Sequence, residues 1–399
     1  MVRALLYLPD DAAHRLAAAP VAGRTLTVRA LVAALRAGAS LIAVPASLRD
    51  PAVDRALRRM PALAAALYWL APGAEAPRDE PAPWLLLPAS SLIHVSALAG
   101  LRSAPPPAGT VLAPSAAGPA PVALVPATLV AALWKDLAAG RPVGAELSRR
   151  LHEAGAEPRA ATGPYVPVGD ESDLARAEEA LRVTLAIPAD SGVDRYLHRR
   201  VSRWITRLLV RTPVTPNQVS LANLAIGLGA IACFWHATPV SAAWGVVLYA
   251  LASIVDHSDG EIARLTFQES RFGANLDWTI DTIIHAGLVL GIGITAGGPV
   301  MGALGALGAA GVTLSALFAR ALPREIEVGP TVGGVLKNIA NRDLFYLVLL
   351  GFAALRWLAP ALVGAVPVVV AVGSQVYWIG CVARIRRLGD ERTGVGPSR

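Results

Sequence analysis

Long apolar stretches fill the second half of the chain, whereas the first half alternates short apolar runs with polar segments. The long stretches predict six membrane spans, since a bilayer requires about 20 mostly apolar residues per helix. The predicted spans are 219–236, 239–258, 275–296, 298–320, 343–358 and 360–383. The fifth has the least regular pattern because Arg356 lies near its end.

Residues 1–190 have the pattern of an α/β domain. The predicted strands are Ala4–Leu8, Ser40–Val44, Trp84–Leu87 and Val122–Val125. The predicted helices are Val28–Ala37, Val53–Met60, Ala127–Ala139 and Gly144–Ala154. Such alternation favours a parallel, Rossmann-like sheet covered by helices. Pro61 should end or kink the second helix, and the Pro-rich stretch 103–121 predicts a loop.

Between the two halves lies a segment, 191–214, with an amphipathic pattern. Apolar residues recur there at helical spacing, and arginines fill the remaining positions: Leu197, Val201, Trp204, Ile205 and Leu208 form the apolar set. This pattern is typical of a helix in the membrane interface. A solvated connecting helix is the alternative. The organisation expected is therefore 1–190, 191–214, a membrane domain 215–388 and a tail 389–399.

The composition excludes several classes of protein. Only 16% of the 399 residues are charged and 54% are hydrophobic, with a formal net charge of +7. Soluble domains contain about 25% charged residues, so these values argue against a disordered chain or a nucleic-acid-binding basic domain. The two cysteines, Cys233 and Cys381, lie in apolar runs and cannot build a disulfide framework or a cysteine-based metal site.

Basic residues are distributed asymmetrically around the predicted spans. They cluster before the first span and after the second, fourth and sixth, whereas the alternate loops carry none except the marginal Arg356. The positive-inside rule then places both termini in the cytoplasm of a multi-pass protein of the cell membrane. The first residues, MVRALLYLPDD, lack a signal-peptide pattern, which is consistent with a cytoplasmic first domain.

Candidate chemistry is concentrated in one window, DHSDGEIARLTFQESRFGANLDWTID. It contains four carboxylates: Asp256, Asp259, Asp277 and Asp281. Their spacings of three and four residues place each pair on one helix face, and a short turn would bring the pairs together. A charge within a membrane helix costs roughly 2.5–3.5 kcal/mol. Carboxylates without His or Cys suit hard cations such as Mg²⁺ or Mn²⁺.

Three further residues of the window fit a phosphate-binding role. Gly260 and Gly273 leave room for a ligand or a helix to approach the backbone. Arg264 can contact a phosphate through two N–H groups. Salt bridges between the carboxylates and neighbouring arginines are the structural alternative.

The arrangement D-x2-D-G-x2-A-R-x8-G-x3-D-x3-D resembles the signature of the CDP-alcohol phosphotransferase family at all eight fixed positions. The resemblance extends over roughly 195–390, including a T-P-N run before the first span. It implies an integral membrane transferase. Such an enzyme moves a substituted phosphate from a CDP-alcohol, of CDP-diacylglycerol or CDP-inositol type, to an acceptor alcohol and releases CMP. It also implies a homodimer that works in phospholipid or phospho-polyol synthesis.

The resemblance further assigns roles to individual residues. It implies that Asp256, Asp259 and Asp277 hold two divalent ions and that Asp281 lies beside those ions, within the ligand set, as the general base. The CDP-alcohol site would comprise Asn217, Ser220, Asp256, Gly260, Arg264, Ser270 and Gly273. For Asn217 the alternative is a helix cap, a role that Thr215 could also fill. Arg320 and Arg342 would contact the acceptor, or would serve membrane topology alone.

The first domain is similar to sugar-phosphate nucleotidyltransferases, mainly over residues 23–45 and 163–182. An active member would need a Gly-rich, basic loop after the first strand to bind a triphosphate. Here no glycine precedes Gly23 in that region, and Pro167 and Gly169 occupy positions where metal-binding acids are expected. We therefore expect a nucleotidyltransferase-type fold that is inactive as a cytidylyltransferase.

Two other function classes compete with the transferase. A catalytically silent membrane scaffold, whose soluble domain binds a nucleotide or a protein partner, would not need an intact set of aspartates. A transporter with a cation site would place its carboxylates near the bilayer midplane rather than at one face.

Overall fold

The computed structural model describes residues 2–76, 82–101, 109–113, 120–185, 198–236, 238–321 and 342–393. The chain divides into two compact units, Met1–Ala186 and Ile187–Arg399. The first unit contains a β-sheet with helices, and the second contains long apolar helices. The fold class expected from the sequence is thereby confirmed.

Strands and helices alternate through the first unit. The strands are β1 (Val2–Tyr7), β2 (Pro20–Val21), β3 (Arg24–Thr25), β4 (Ala39–Pro45), β5 (Leu67–Leu70), β6 (Trp84–Pro88), β7 (Ser91–Ile93), β8 (Thr110–Ala113), β9 (Ala123–Val125), β10 (Glu157–Ala160) and β11 (Tyr165–Pro167). The helices are α1 (Ala13–Ala17), α2 (Leu26–Arg36), α3 (Pro51–Arg59), α4 (Pro61–Ala66), α5 (Ala127–Ala138), α6 (Gly144–Glu153) and α7 (Ser172–Val183). All predicted strands and helices are present, and Pro61 begins α4 just after α3 ends.

Seven strands form the main sheet, in the order β10-β8-β9-β6-β1-β4-β5. β1 pairs in parallel with both β4 and β6, as predicted. The prediction of a parallel sheet was wrong at β9, which runs antiparallel to both of its neighbours. The predicted loop 103–121 was also wrong at β8, because those four residues pair with the distant β9 and β10.

A buried arginine holds the turn between β2 and β3. Arg29 is 3% exposed and donates hydrogen bonds of 2.7–2.9 Å to the carbonyl oxygens of Val21 and Ala22. Burial lowers the pKa of Arg29 to about 9. The turn is strained, since Ala22 has a φ of 44°. The arginine therefore stabilises a local conformation that the turn residues alone would not favour.

The second unit consists of helices. They are α8 (Arg199–Leu209), α9 (Pro216–Trp235), α10 (Pro239–Thr266), α11 (Arg271–Thr295), α12 (Gly298–Ala321), α13 (Arg342–Leu358) and α14 (Ala365–Thr393), with a 3₁₀ turn at Pro360–Leu362 before α14. Both α9 and α10 begin with a Thr-Pro pair. Thr215 caps α9 and Thr238 caps α10, and in each helix the proline that follows occupies the first turn.

Five segments of the described chain are long and apolar enough to cross a membrane: Pro216–Trp235, Pro239–Thr266, Arg271–Thr295, Gly298–Ala321 and Pro360–Arg386. The fifth predicted span, 343–358, is helical as α13, whose 17 residues fall below that length. The count of six is therefore approximate. α10 continues to Thr266, past the predicted boundary at 258, so Asp256 and Asp259 lie within an unbroken helix.

Glycines allow α11 and α12 to approach each other at backbone distance. A Cβ atom built on Gly293 would lie 2.3 Å from the Cα atom of Gly305, closer than real side chains permit. One and two turns later, Gly308 and Gly311 of α12 face α14, at the backbone of Ala371 and the side chain of Ser374. Backbone contact of this kind is a common means of helix association in membranes.

Candidate active site

Three carboxylates from two helices meet at one point in the second unit. Asp256 and Asp259 come from α10 and Asp277 comes from α11, and a carboxylate oxygen of each lies within 4.8 Å of the others. Asp259 is only 6% exposed. The juxtaposition expected from the helical spacing is thus present for these three residues.

A short connection brings the two helices into this arrangement. α10 ends at Thr266 and is followed by Phe267, whose φ of 58° is in the left-handed region and turns the chain sharply. Ser270 then caps α11 by accepting a 2.9 Å hydrogen bond from the amide of Gly273. α9 packs against both α10 and α11, so the carboxylates also face residues from a third helix.

Two polar side chains of α9 bind the carboxylates. The Ser220 hydroxyl donates a 2.5 Å hydrogen bond to Asp259 Oδ2. The Asn223 amide donates from Nδ2 to Asp256 Oδ1 at 3.2 Å. Because a carboxylate only accepts, this contact fixes the amide orientation and leaves Asn223 Oδ1 buried without a hydrogen-bond partner. Sequence reasoning found Ser220 but missed Asn223.

The signal for Asn223 was present in the sequence. It lies three residues after Ser220, on the same face of a helix whose residues after Asn223 are all apolar or glycine. An amide in such a helix is costly unless it finds partners. That reasoning would have placed Asn223 beside the aspartates.

Arg264 lies along the backbone of α10 next to Gly260. A Cβ atom on Gly260 would be 3.3 Å from Arg264 Nη1, so the glycine provides space for the guanidinium. The Nε atom of Arg264 is buried without a hydrogen-bond partner. An unsatisfied buried donor beside acidic residues is a suitable contact for the oxygen of an anionic ligand.

Asn217 and Ser270 meet at Gly273. A Cβ atom on Gly273 would lie 3.2 Å from Ser270 Oγ and 3.3 Å from Asn217 Oδ1. Thr215 forms a capping box with Gln218 and is therefore the cap of α9. The alternative role of Asn217 as the cap is thus excluded, which leaves its amide oxygen directed toward α11.

Asp281 lies outside the group formed by the other three aspartates. It lies one turn after Asp277 and lines a cavity of about 360 Å³ between α11 and α12. The cavity is lined by Trp278, Asp281, Thr282, His285, Val312, Ala316, Ala319 and Arg320. The fourth aspartate therefore lies one helical turn from the cluster and lines a space that a small ligand could occupy.

His285 is held by other residues of the protein. Its Nδ1 lies 2.7 Å from the backbone oxygen of Asp281 and must donate to it, so Nε2 accepts from the Tyr249 hydroxyl at 2.9 Å. Both ring nitrogens are used, which argues against His285 as a proton acceptor for a ligand in the cavity.

Arg320 closes one side of the cavity. Its guanidinium lies 5.2 Å from the centroid of the Trp278 ring and donates to the side chain of Asn275. These contacts hold the end of α12 against α11. The other predicted acceptor residue, Arg342, begins α13, and its side chain lies outside the described residues.

The donor set of the cluster fits a divalent cation. Its carboxylates offer only oxygen ligands, and Asn223, which donates to one of them, has a buried amide oxygen without a hydrogen-bond partner. Hard cations such as Mg²⁺ and Mn²⁺ favour such sites. The three aspartates can thus hold a cation, next to an arginine that can contact an anion.

Comparison with known proteins assigns this helical region. A sequence model of the CDP-alcohol phosphatidyltransferase family matches residues 213–382. A phosphatidylinositol phosphate synthase of Streptomyces avermitilis is 30% identical over 201 residues, which is 48% of this chain and 80% of that protein. An archaetidylinositol phosphate synthase of Pyrococcus horikoshii is 34% identical over 90 residues, 23% of this chain and 46% of that protein.

Longer relatives match over part of their length. A bifunctional IPC transferase and DIPP synthase of Rubrobacter xylanophilus is 36% identical over 157 residues, which is 39% of this chain. The matched segment spans 35% of that protein's length.

Proposed function

Since this chain belongs to the CDP-alcohol phosphatidyltransferase family, we propose that its helical unit transfers a substituted phosphate from a CDP-alcohol to an acceptor hydroxyl. The acceptor oxygen bonds to the phosphorus that carries the alcohol, the bond between that phosphorus and the bridging oxygen breaks, and CMP leaves. The convergence of Asp256, Asp259 and Asp277 within 4.8 Å carries the proposal.

Two Mg²⁺ or Mn²⁺ ions are the proposed cofactors, with Asp256, Asp259 and Asp277 as the principal ligands and Asp281 beside them. When bound, the ions neutralise charge on the pyrophosphate. Ser220 and Asn223 orient two of the carboxylates through hydrogen bonds. Partners of this kind commonly decide metal affinity.

Asp281 is the proposed general base. It lines the cavity beside the cluster, where an acceptor hydroxyl would lie within reach of its carboxylate. Accepting the hydroxyl proton makes the oxygen a better nucleophile as the new P–O bond forms. Arg320, at the edge of the same cavity, is the proposed contact for a phosphate on the acceptor.

The proposed donor site lies where α9, α10 and α11 meet. Arg264 has a buried donor available for a phosphate oxygen, and Gly260 gives its guanidinium room. Asn217, Ser220, Ser270 and Gly273 are the proposed nucleotide contacts, because three of them meet at one point and Ser220 reaches Asp259. Ser270 contributes mainly by capping α11.

Relatives suggest which alcohols to test. Two of the matched proteins are named synthases of a phosphorylated inositol lipid. We therefore propose inositol phosphate as acceptor with CDP-diacylglycerol as donor, and CDP-inositol with a phosphorylated polyol as the second pair. Phospholipid or phospho-polyol synthesis in the cell membrane is the corresponding role, and a homodimer is the expected assembly.

The membrane arrangement follows from charge. We propose that the helical unit spans the cell membrane with both ends of the chain in the cytoplasm, because the basic loops alternate with loops that carry no basic residue except the marginal Arg356. α8 would lie in the membrane interface, since Trp204 and Leu208 are exposed on one of its faces.

We propose that the first unit does not make the CDP-linked donor. The segment after β1 has no glycine and leads into α1, with Asp10 accepting a 2.8 Å hydrogen bond from the amide of Ala13. Gly169 donates its amide to Asp173 at 2.9 Å, in the region where metal-binding acids are expected. Neither feature forms a triphosphate-binding loop.

The test is CMP release by the purified full-length protein in lipid-containing micelles. CDP-diacylglycerol and CDP-inositol would each be paired with inositol, inositol phosphate and glycerol phosphate in the presence of Mg²⁺. CMP formed with at least one pair, and abolished by chelation, is expected. No release from any pair would contradict the transferase and favour the silent scaffold.

A further inference from the structure

Glu261 lies entirely inside the helical unit, with no exposed surface. Its Oε1 accepts hydrogen bonds from Arg199 Nη1 and from the Ser202 hydroxyl, both at 3.0 Å. Its Oε2 accepts from the Thr206 hydroxyl at 2.7 Å. All three donors belong to α8, so one buried carboxylate of α10 is held entirely by polar groups from a neighbouring helix.

These contacts give α8 an unusual orientation. Arg199, Ser202 and Thr206 share one face at helical spacing, and that polar face is the buried one. The exposed side carries Trp204 and Leu208, which are 62% and 51% exposed. Packing of apolar side chains therefore does not explain why this face of α8 lies against α10; the carboxylate of Glu261 does.

Stability alone is a poor explanation for such a pair. Replacing a buried ion pair by apolar residues of similar volume is often neutral or stabilising. A fully satisfied polar group, by contrast, accepts only one arrangement of its donors and fixes the geometry of both helices. The contact is thus better suited to define a position than to increase stability.

The position that Glu261 fixes is that of the metal-binding carboxylates. Glu261 follows Asp259 by two residues, which is about 200° around the helix axis. Ser220 holds Asp259 from the α9 side, and α8 holds Glu261 from nearly the opposite side. Functional constellations tolerate only about 10–20° of misorientation, so a small rotation of α10 would already disturb the carboxylates. The two restraints on opposite sides of α10 oppose such a rotation.

We propose that Glu261 is a positioning residue through which α8 fixes the rotation of α10 and thereby the cation affinity of Asp256 and Asp259. The effect on CMP release rests on the proposed function, whereas the effect on cation binding does not.

The decisive comparison uses Mn²⁺ alone as the probe, with free Mn²⁺ followed by electron paramagnetic resonance. The full-length protein in micelles would be compared with Glu261→Gln and with the double variant Arg199→Met/Glu261→Met. The double variant removes the ion pair but keeps the volume. The Ser202 and Thr206 hydroxyls lose their acceptor but can donate to the backbone carbonyl one turn earlier in α8, so the thermal midpoint should stay near that of the parent. Arg203→Met, at an exposed position of the same helix, is the matched control.

Both Glu261 variants should bind Mn²⁺ roughly tenfold more weakly, the lower end of the loss seen when partners of metal ligands are removed. The control should bind it as the parent does. If Glu261→Gln does not fold, the Mn²⁺ affinity of the double variant alone tests the proposal. Parent-like Mn²⁺ affinity in a folded double variant would overturn the proposal, as would a parent protein that binds no Mn²⁺. A parent that binds Mn²⁺ without releasing CMP would contradict only the proposed function.

Discussion

The Ser220 hydroxyl lies 2.5 Å from Asp259 Oδ2 and donates a hydrogen bond to it, which joins α9 to α10. Asp259 is one of three carboxylates that meet at this point. The contact therefore makes the first membrane helix part of the candidate site, although all the aspartates lie on the next two helices.

Removing the Ser220 hydroxyl should weaken cation binding at the candidate site without abolishing it. Hydrogen bonds to charged groups contribute about 1.5–3 kcal/mol, so Ser220→Ala should raise the Mg²⁺ concentration for half-maximal CMP release by about tenfold or more. Ser220→Thr keeps the hydroxyl and should stay near the parent. Ser315→Ala is the control, because Ser315 binds backbone oxygens of Gly311 and Ser374 away from the aspartates. Equal Mg²⁺ dependence in all three variants would argue against the contact.

The close approach of α11 and α12 allows a stability test with a matched control. Gly305→Ala would place a methyl group 2.7 Å from the Cα atom of Gly293, whereas Gly302→Ala on the same helix meets nothing within 4 Å. Alanine favours a helix over glycine by about 1 kcal/mol, so Gly302→Ala should be neutral or stabilising. Gly305→Ala should lower the thermal midpoint in micelles, since overpacking costs about 1–3 kcal/mol. A reversed order of the two midpoints would contradict the packing.

Membrane orientation can be tested with reporter fusions. Fusions after residue 190 and after residue 390 should both report a cytoplasmic location, because the loops that carry basic residues are expected inside. A fusion in the loop near 297, which has no basic residue nearby, should report the outside and serves as the control. An external signal from either of the first two fusions would overturn the proposed arrangement.

The first unit should not make a CDP-linked product. Full-length protein given CTP and a sugar or polyol phosphate should release no pyrophosphate above the rate without protein, because the segment after β1 lacks a triphosphate-binding loop. A known cytidylyltransferase assayed in parallel would confirm the detection. Sustained pyrophosphate release that requires both substrates would show that this expectation is wrong.

Much of this fold could be predicted from local patterns. The strands of the first unit follow from short apolar runs, and the membrane helices follow from hydropathy. The predictions that failed concern structure that depends on contacts between segments distant in the sequence. β8 has no strong pattern of its own and is a strand because it pairs with β9 and β10. The antiparallel direction of β9 depends on the path of the chain between strands, which side-chain periodicity does not encode.

The same division applies to the candidate site. The helical spacing of Asp256, Asp259 and Asp277 was sufficient to predict that they meet. The partners that orient them come from elsewhere: Asn223 from α9, and α8 through Glu261. Their roles depend on how helices pack, so no spacing within a single helix reveals them.

The central claim is that the aspartates have two different roles. Asp256, Asp259 and Asp277 bind cations, whereas Asp281 accepts the proton of the acceptor hydroxyl. Its most direct test measures Mn²⁺ binding and CMP release on the same preparations of Asp281→Asn and Asp259→Asn. An amide cannot accept the proton, so Asp281→Asn should bind Mn²⁺ within a few-fold of the parent yet release CMP at least about 100-fold more slowly. Asp259→Asn should lose both Mn²⁺ affinity and CMP release. Near-parent CMP release by Asp281→Asn would contradict the account.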